Sequence, residues 1–247
     1  MLIFPAIFIK NGRCNSHTNQ NLPWKLAVEY AQMGASHLHI IDIDGARIGT
    51  FVNEESILAI LSRVSIPIEV GGGIRSLKKV EHLLDMGASR VVIGTKAVGN
   101  PAFVKEVISN FGQERILFSI DTKNGFVVTE GFEKINSMRA IDYAIEMKSY
   151  GVKNICYVDA SQKKHTSYSF CEEIEALYQK TKLNIIAKGN ISSMKELEKL
   201  KEVNTCGVVL EENEVLREIN IKKAIDIFEK GDSDGIQENN WIYEWRK

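Results

Sequence analysis

Eight short β-branched runs recur along the chain: LIFPAIFI, HLHIIDI, IPIEV, RVVIG, RILFSID, NICYVD, LNIIAK and CGVVL. Between them lie segments with a helical period, such as SLKKVEHLLDMG, where Ser76 is placed to cap the start and Gly87 to end it. Strand and helix alternating eight times in 247 residues, with no Pro/Ser-rich linker, predict an α/β protein: one (βα)8 TIM barrel over residues 1–230. Residues 231–247, GDSDGIQENNWIYEWRK, lie past the last helix and read as a C-terminal extension.

An internal repeat sharpens this expectation. GASHLHIID at 34–42 matches GVKNICYVD at 151–159, and GGIRS at 72–76 matches GNISS at 189–193, both at an offset of 117 (189 − 72). RVVIGT falls on GVVLEE at the same offset. The barrel is therefore expected to be two half-barrel repeats, with the first and fifth strands as counterparts. PAIFIKNG at 5–12 and FSIDTKNG at 118–125 are those strands, and Phe8 stands where the second copy has Asp121.

Composition excludes several classes. Thirty-one Lys and Arg against thirty-two Asp and Glu leave a net charge of −1, which favours neither nucleic acid nor an anionic membrane. MLIFPAIFIK is apolar but lacks the basic leader, cleavage site and length of a targeting or spanning segment, so it reads as a core strand. Cys14, Cys156, Cys171 and Cys206 are scattered without a CxxC, which fits packing residues in a reduced, cytoplasmic compartment. His37 and His39 alternate along the second strand while His17, His82 and His165 are dispersed, so no metal is expected. No Ser-His-Asp or Cys-His arrangement suggests a nucleophile.

The glycines point to phosphate. GGGIRS follows the third strand and IGT the fourth, and both are turns where absent side chains let N–H groups approach an anion. Gly72, Gly73, Arg75, Gly94 and Thr95 are the candidate phosphate-binding residues, with Gly189 of GNISS as their counterpart in the second half. The alternative is that Gly71, Gly72 and Gly73 only permit positive φ in a tight loop.

Taken together, IFPAIFIKNG, LHIIDIDGA, VGGGIRS, RVVIGT and SIDTKNG resemble the histidine-biosynthesis (βα)8 isomerases, the phosphoribosylformimino-5-aminoimidazole carboxamide ribotide isomerase family, over residues 1 to about 228. DIDGA, which carries Asp42, and IGT are isomerase-like rather than cyclase-like. The resemblance implies an Amadori rearrangement of an aminoaldose to an aminoketose, on a bisphosphorylated substrate, without cofactor or metal. It also implies two strand-tip aspartates as general acid and base, because ring opening needs a proton donated and enolamine formation needs one removed. Asp121 matches the fifth-strand aspartate, whereas Phe8 occupies the first-strand position and can neither donate nor accept a proton. Asp121 capping a turn is the bland alternative.

Other departures gather in the second half. YVDASQKKHTSYS replaces the family's Asp-Gly-Thr loop, with only Thr166 in common. Glu211 and Glu212 stand where the family has Gly followed by a cation, and a carboxylate there repels phosphate. Lys188 in AKGN either replaces the lost cation or pairs with one of those glutamates. Phe132 is expected either to stack on a planar base or simply to pack, and Trp241 with Trp245, spaced i, i+4, are expected to form one face of a short helix that docks on the barrel or a second subunit, with ligand binding as the alternative. Two functions are thus expected from these residues: the isomerase, or a diverged barrel that binds one phosphorylated small molecule through its first half. The chain is expected as a monomer or a weak homo-oligomer.

Overall fold

The computed structural model describes residues 1–15, 22–130, 134–161, 167–189, 191, 193–211 and 219–230. All eight expected runs are strands: β1 (Leu2–Lys10), β3 (Leu38–Asp42), β4 (Ile68–Gly71), β5 (Arg90–Ile93), β6 (Ile116–Lys123), β9 (Asn154–Asp159), β10 (Asn184–Lys188) and β11 (Gly207–Leu210). Their order is β5-β4-β3-β1-β11-β10-β9-β6, and pairing of β5 with β6 closes them into a (βα)8 barrel. Two compact units divide it, Met1–Val91 with Val209–Lys247 and Val92–Val208. No helix among the described residues is long and apolar enough to cross a membrane.

The local chemistry explains the elements. Leu2 to Ile7 of β1 are buried without a break, as are all four residues of β5 and of β11, which is the continuous apolar signature of strands covered on both faces. Helices α1 (Pro23–Gln32) and α5 (Pro101–Phe111) start with Pro, where the missing N–H costs nothing. Helix α4 (Leu77–Asp85) is capped by Ser76, whose hydroxyl accepts from the Lys79 N–H, and α8 (Met194–Glu202) is capped by Ser193, which accepts from Glu196 in a full capping box. These caps are 117 positions apart (193 − 76), and their dihedrals agree, φ −149° with ψ 155° against φ −145° with ψ 155°.

The Lys-Asn-Gly ends of β1 and β6 are also alike. Asn11 and Gly12 have φ 51° and 74°, Asn124 and Gly125 have 54° and 76°, the left-handed pair that a two-residue hairpin requires. The first turn leads into the two-residue strand β2 (Arg13–Cys14), the second into β7 (Phe126–Thr129), which pairs with β8 (Lys134–Arg139). This β7–β8 hairpin was not expected from the sequence. KINSMR alternates between exposed and half-buried residues and has no buried face, so no hydrophobic period marks it.

One charged cluster lies inside the first unit. His39 on β3, Glu69 on β4 and Arg90 on β5 are 1%, 2% and 1% exposed. His39 Nδ1 is 2.5 Å from Glu69 Oε1, and Arg90 donates to Glu69 Oε2 through both Nε and Nη2. Burial alone would raise the Glu69 pKa, but Arg90 and then His39 overcome it and bring it to about 2. The alternating histidines of the second strand thus belong to packing and ion pairing.

Candidate active site

Parallel barrels present chemistry at the C-terminal ends of their strands, and the expected residues lie there in each unit. In the first unit, Phe8 is opposite Ile41 and Ile9 is opposite Asp42 in the β1–β3 register. Phe8 is half-buried between fully buried Ile7 and Ile9. Asp42 is 0% exposed. Its carboxylate accepts from the N–H groups of Gly45, Val52 and Asn53 and from the Asn53 side chain, at 2.6–3.0 Å. It therefore caps α2 (Ile43–Ile48) and folds the following loop back on it.

Asn53 extends that network, donating to Asp44 and accepting from the Gly12 N–H. The Asn53 amide and then the Asn11 N–H hold the Asp44 carboxyl below the usual aspartate range. The IKNG turn and the DIDGA loop are in this way fastened together.

The glycine turn after β4 packs against the same loop. Gly72 and Gly73 have φ 116° and 70°. A Cβ at Gly72 would lie 2.3 Å from the Asp42 carbonyl oxygen, and one at Gly73 2.3 Å from the Gly45 carbonyl oxygen. Both positions need glycine for conformation and for space. Arg75 is exposed, and its guanidinium lies across Gly49, where a Cβ would be 2.3 Å from Cζ.

In the second unit, Asp121 is half-buried near the end of β6, opposite Val158 of β9. Ser119, two residues earlier and hence on the same strand face, donates to Asp121 Oδ1 at 2.5 Å. Thr122 points the other way, buried, with its hydroxyl on the Val158 carbonyl at 3.0 Å. Gly94, after β5, has φ −105°. A Cβ there would meet only Ser119 Cβ at 3.8 Å and Asp121 Oδ2 at 3.9 Å, which is ordinary contact distance. Thr95 Oγ1 accepts from the Glu130 N–H at 3.1 Å, joining the IGT turn to the end of β7.

Lys188 is half-buried at the end of β10, opposite Val158. Next to it, Gly189 is buried beneath Phe170 of α7 (Ser167–Thr181): a Cβ at Gly189 would lie 3.2 Å from the ring and 3.6 Å from Asp159 Cβ. Phe132, Glu212, Thr166 and the 231–247 extension with its tryptophans fall outside the described residues. Among the described residues no three His, Cys, Asp or Glu side chains are grouped as a metal would need.

Asp121 is thus a carboxylate with one oxygen fixed by a hydroxyl and the other beside a glycine, a setting suited to proton transfer. The sequence reading singled out Asp121, Asp42 and the glycines as candidates and did not single out Ser119 or Asn53, which the structure places in hydrogen bonds to Asp121 and Asp42. The Ser-x-Asp spacing on a strand was the available signal for Ser119, since residues two apart share a face.

Relatives with this sequence pattern are named. The isomerase of Lachnoclostridium phytofermentans, 1-(5-phosphoribosyl)-5-((5-phosphoribosylamino)methylideneamino)imidazole-4-carboxamide isomerase, is 42% identical over 239 residues, covering 93% of this chain and 100% of that one. The proteins of the same name from Syntrophomonas wolfei and Alkaliphilus metalliredigens are each 39% identical, over 84% and 85% of this chain and 89% and 92% of their own lengths. The family model described as histidine biosynthesis protein matches residues 2–212, and the chain belongs to that family.

Proposed function

We propose that the chain is an aminoaldose-to-aminoketose isomerase of the histidine-biosynthesis type, acting on a bisphosphorylated ribosyl-imidazole carboxamide with one strand-tip carboxylate instead of two, and therefore slowly. The observation that carries this reading is Asp121, held by Ser119 beside the side-chain-free Gly94. The name that these relatives share supports the reaction type.

The chemistry is an internal redistribution. A proton reaches the ribose ring oxygen as the C1–O bond breaks and the nitrogen lone pair forms an iminium. Removing the C2 proton sends the C–H electrons into a C1–C2 double bond and returns a pair to nitrogen. The C2 hydroxyl then gives up its proton as C1 gains one, leaving the ketone. Protons and electrons balance within one substrate, so the rearrangement calls for acid–base groups alone. Asp121 serves one face of the sugar. Phe8 stands at the sequence position where the resemblance places the second carboxylate, and losing one such group typically costs ~10²–10⁴-fold.

Backbone N–H groups of the turn at Gly72–Gly73 and, separately, of the turn at Gly94–Thr95 are proposed phosphate contacts, with Arg75 as a candidate cation in the first unit. The Phe170 ring over Gly189 and the carboxylate of Glu211 disfavour a second phosphate after the seventh and eighth strands. These two features and Phe8 favour a second reading, a barrel that holds one phosphorylated ligand and does not turn it over.

The test is turnover of the purified chain with the bisphosphorylated aminoaldose, followed as ketose formation. Slow conversion that Asp121→Asn abolishes is the expected result. No conversion above the Asp121→Asn background, with phosphate-dependent binding retained, would establish the second reading instead.

A further inference from the structure

The end of β6 is flanked by β7, which runs antiparallel to it with Val127 opposite Thr122 and Phe126 opposite Lys123. Two non-glycine residues with left-handed backbone bracket β7: Asn124 before it, φ 54°, and Glu130 after it, φ 57°. At each, the backbone N–H is held by a hydroxyl from a neighbouring strand-end loop. Asn124 donates to Ser161 Oγ, after β9, at 3.3 Å, and Glu130 donates to Thr95 Oγ1, after β5, at 3.1 Å. Ser161 is held in turn by Asp159, which accepts its N–H at 2.9 Å. Thr95 instead belongs to the IGT turn, next to Gly94, where an added Cβ would lie 3.9 Å from Asp121 Oδ2.

A hydroxyl carries one proton and two lone pairs. At Thr95 a lone pair takes the Glu130 N–H, so the proton is directed away from β7. We infer that the Thr95 hydroxyl is a relay between a ligand phosphate and the β7–β8 hairpin, giving its proton to a phosphate oxygen at the Gly94–Thr95 turn while its lone pair holds the end of β7. A hydroxyl that donates to an anion is polarised and becomes a stronger acceptor, so each bond strengthens the other. Phosphate binding thereby tightens the hairpin at its Glu130 end, and by reciprocity a fastened hairpin favours the phosphate. The Asn124–Ser161 fastening stands outside that turn and is the internal control.

The inference rests on the phosphate reading of this turn. It is tested by amide hydrogen exchange, followed by NMR in the full chain with inorganic phosphate as the probe. Shifts of the Gly94 and Thr95 amide resonances report binding. Without phosphate, Thr95→Val is expected to lower the protection of the Glu130 amide roughly 2- to 10-fold, the size of one net hydrogen bond, and Thr95→Ser to retain it. Saturating phosphate is expected to raise Glu130 protection roughly two- to fivefold in the unaltered chain and in Thr95→Ser, but not in Thr95→Val. Protection of Asn124 is expected to stay constant throughout.

Phosphate that shifts the turn's amides without raising Glu130 protection, or that raises Glu130 and Asn124 alike, overturns the inference and leaves the phosphate reading standing. The unaltered chain decides that comparison whatever Thr95→Val does to folding. Absence of any shift at Gly94 and Thr95 overturns the phosphate reading of the turn and the relay with it, and a loss at Glu130 in Thr95→Val then reports a structural hydrogen bond only.

Discussion

A Cβ at Gly72 or Gly73 would come within 2.3 Å of a backbone carbonyl oxygen, whereas one at Gly94 would find nothing closer than 3.8 Å. The carboxylates divide the same way. In the first unit Asp42 takes three backbone N–H groups and a side-chain amide, and Glu69 is held by Arg90 and His39, both carboxylates buried. In the second unit Asp121 is only half-buried, with the Ser119 hydroxyl on one oxygen. In the first unit the chain's own packing already calls for glycine at Gly72 and Gly73 and engages both carboxylates, whatever else the glycine turn binds. At Gly94 of the second unit a Cβ would meet its neighbours only at ordinary contact distance, so close packing does not by itself call for glycine there. A glycine or an aspartate at a strand end is informative only when its surroundings say which of these applies.

The contrast can be broken experimentally, beginning with the carboxylates. Asp121→Asn should reduce isomerase turnover by ~10²–10⁴-fold while leaving the thermal midpoint within a degree or two, since a half-buried isostere keeps the packing. A drop in stability with turnover retained would reverse the assignment.

Glu69→Gln should behave oppositely, destabilising by about 3–5 kcal/mol because it strands the buried Arg90 charge. It also carries a pH signature. The folded pKa of Glu69, about 2, is depressed below its ordinary 4.5, so its contribution is present above pH 4.5 and is lost as pH falls from there through about 2. Denaturant unfolding between those limits should show stability falling with acid in the unaltered chain and a flatter slope in Glu69→Gln. Equal slopes would mean that the pair does not control acid stability.

Among the glycines the effects are smaller. Gly73→Ala should cost about 2–4 kcal/mol, from positive φ and from displacing the Gly45 carbonyl. Gly94→Ala should cost under ~1 kcal/mol yet lower turnover by roughly tenfold, by filling the space beside Asp121 Oδ2. If the two variants lose stability equally, the distinction between a glycine the fold needs and one it does not disappears.

How much of this was legible in the sequence follows from the same physics. The eight strands were readable because burial on both faces leaves β-branched runs with no polar interruption, as in RVVI and GVVL. The β7–β8 hairpin was not, because KINSMR buries no face and carries no period. Asp121 and the glycine turns were visible as residues and through their match to a family. What separates Gly73 from Gly94 was invisible, since it depends on carbonyl oxygens contributed by the preceding βα loop. Ser119 was passed over for a similar reason: a serine on a strand gains meaning only from the oxygen it touches.

Position 8 carries the central claim, that a carboxylate missing from the first strand limits the reaction. The most direct measurement is kcat/KM for the bisphosphorylated aminoaldose in the unaltered chain and in Phe8→Asp. The account predicts a slow unaltered chain and a rise of at least ~10-fold in Phe8→Asp, short of the full ~10²–10⁴ because Glu211 still weakens phosphate binding, a loss that appears mainly in KM. Adding Glu211→Gly and Glu212→Arg should raise it further. An unaltered chain that turns over at an ordinary enzyme rate, roughly 1–10³ s⁻¹, with Phe8→Asp no faster, would contradict the claim and give the second proton-transfer role to another residue, with Lys188 the first to replace.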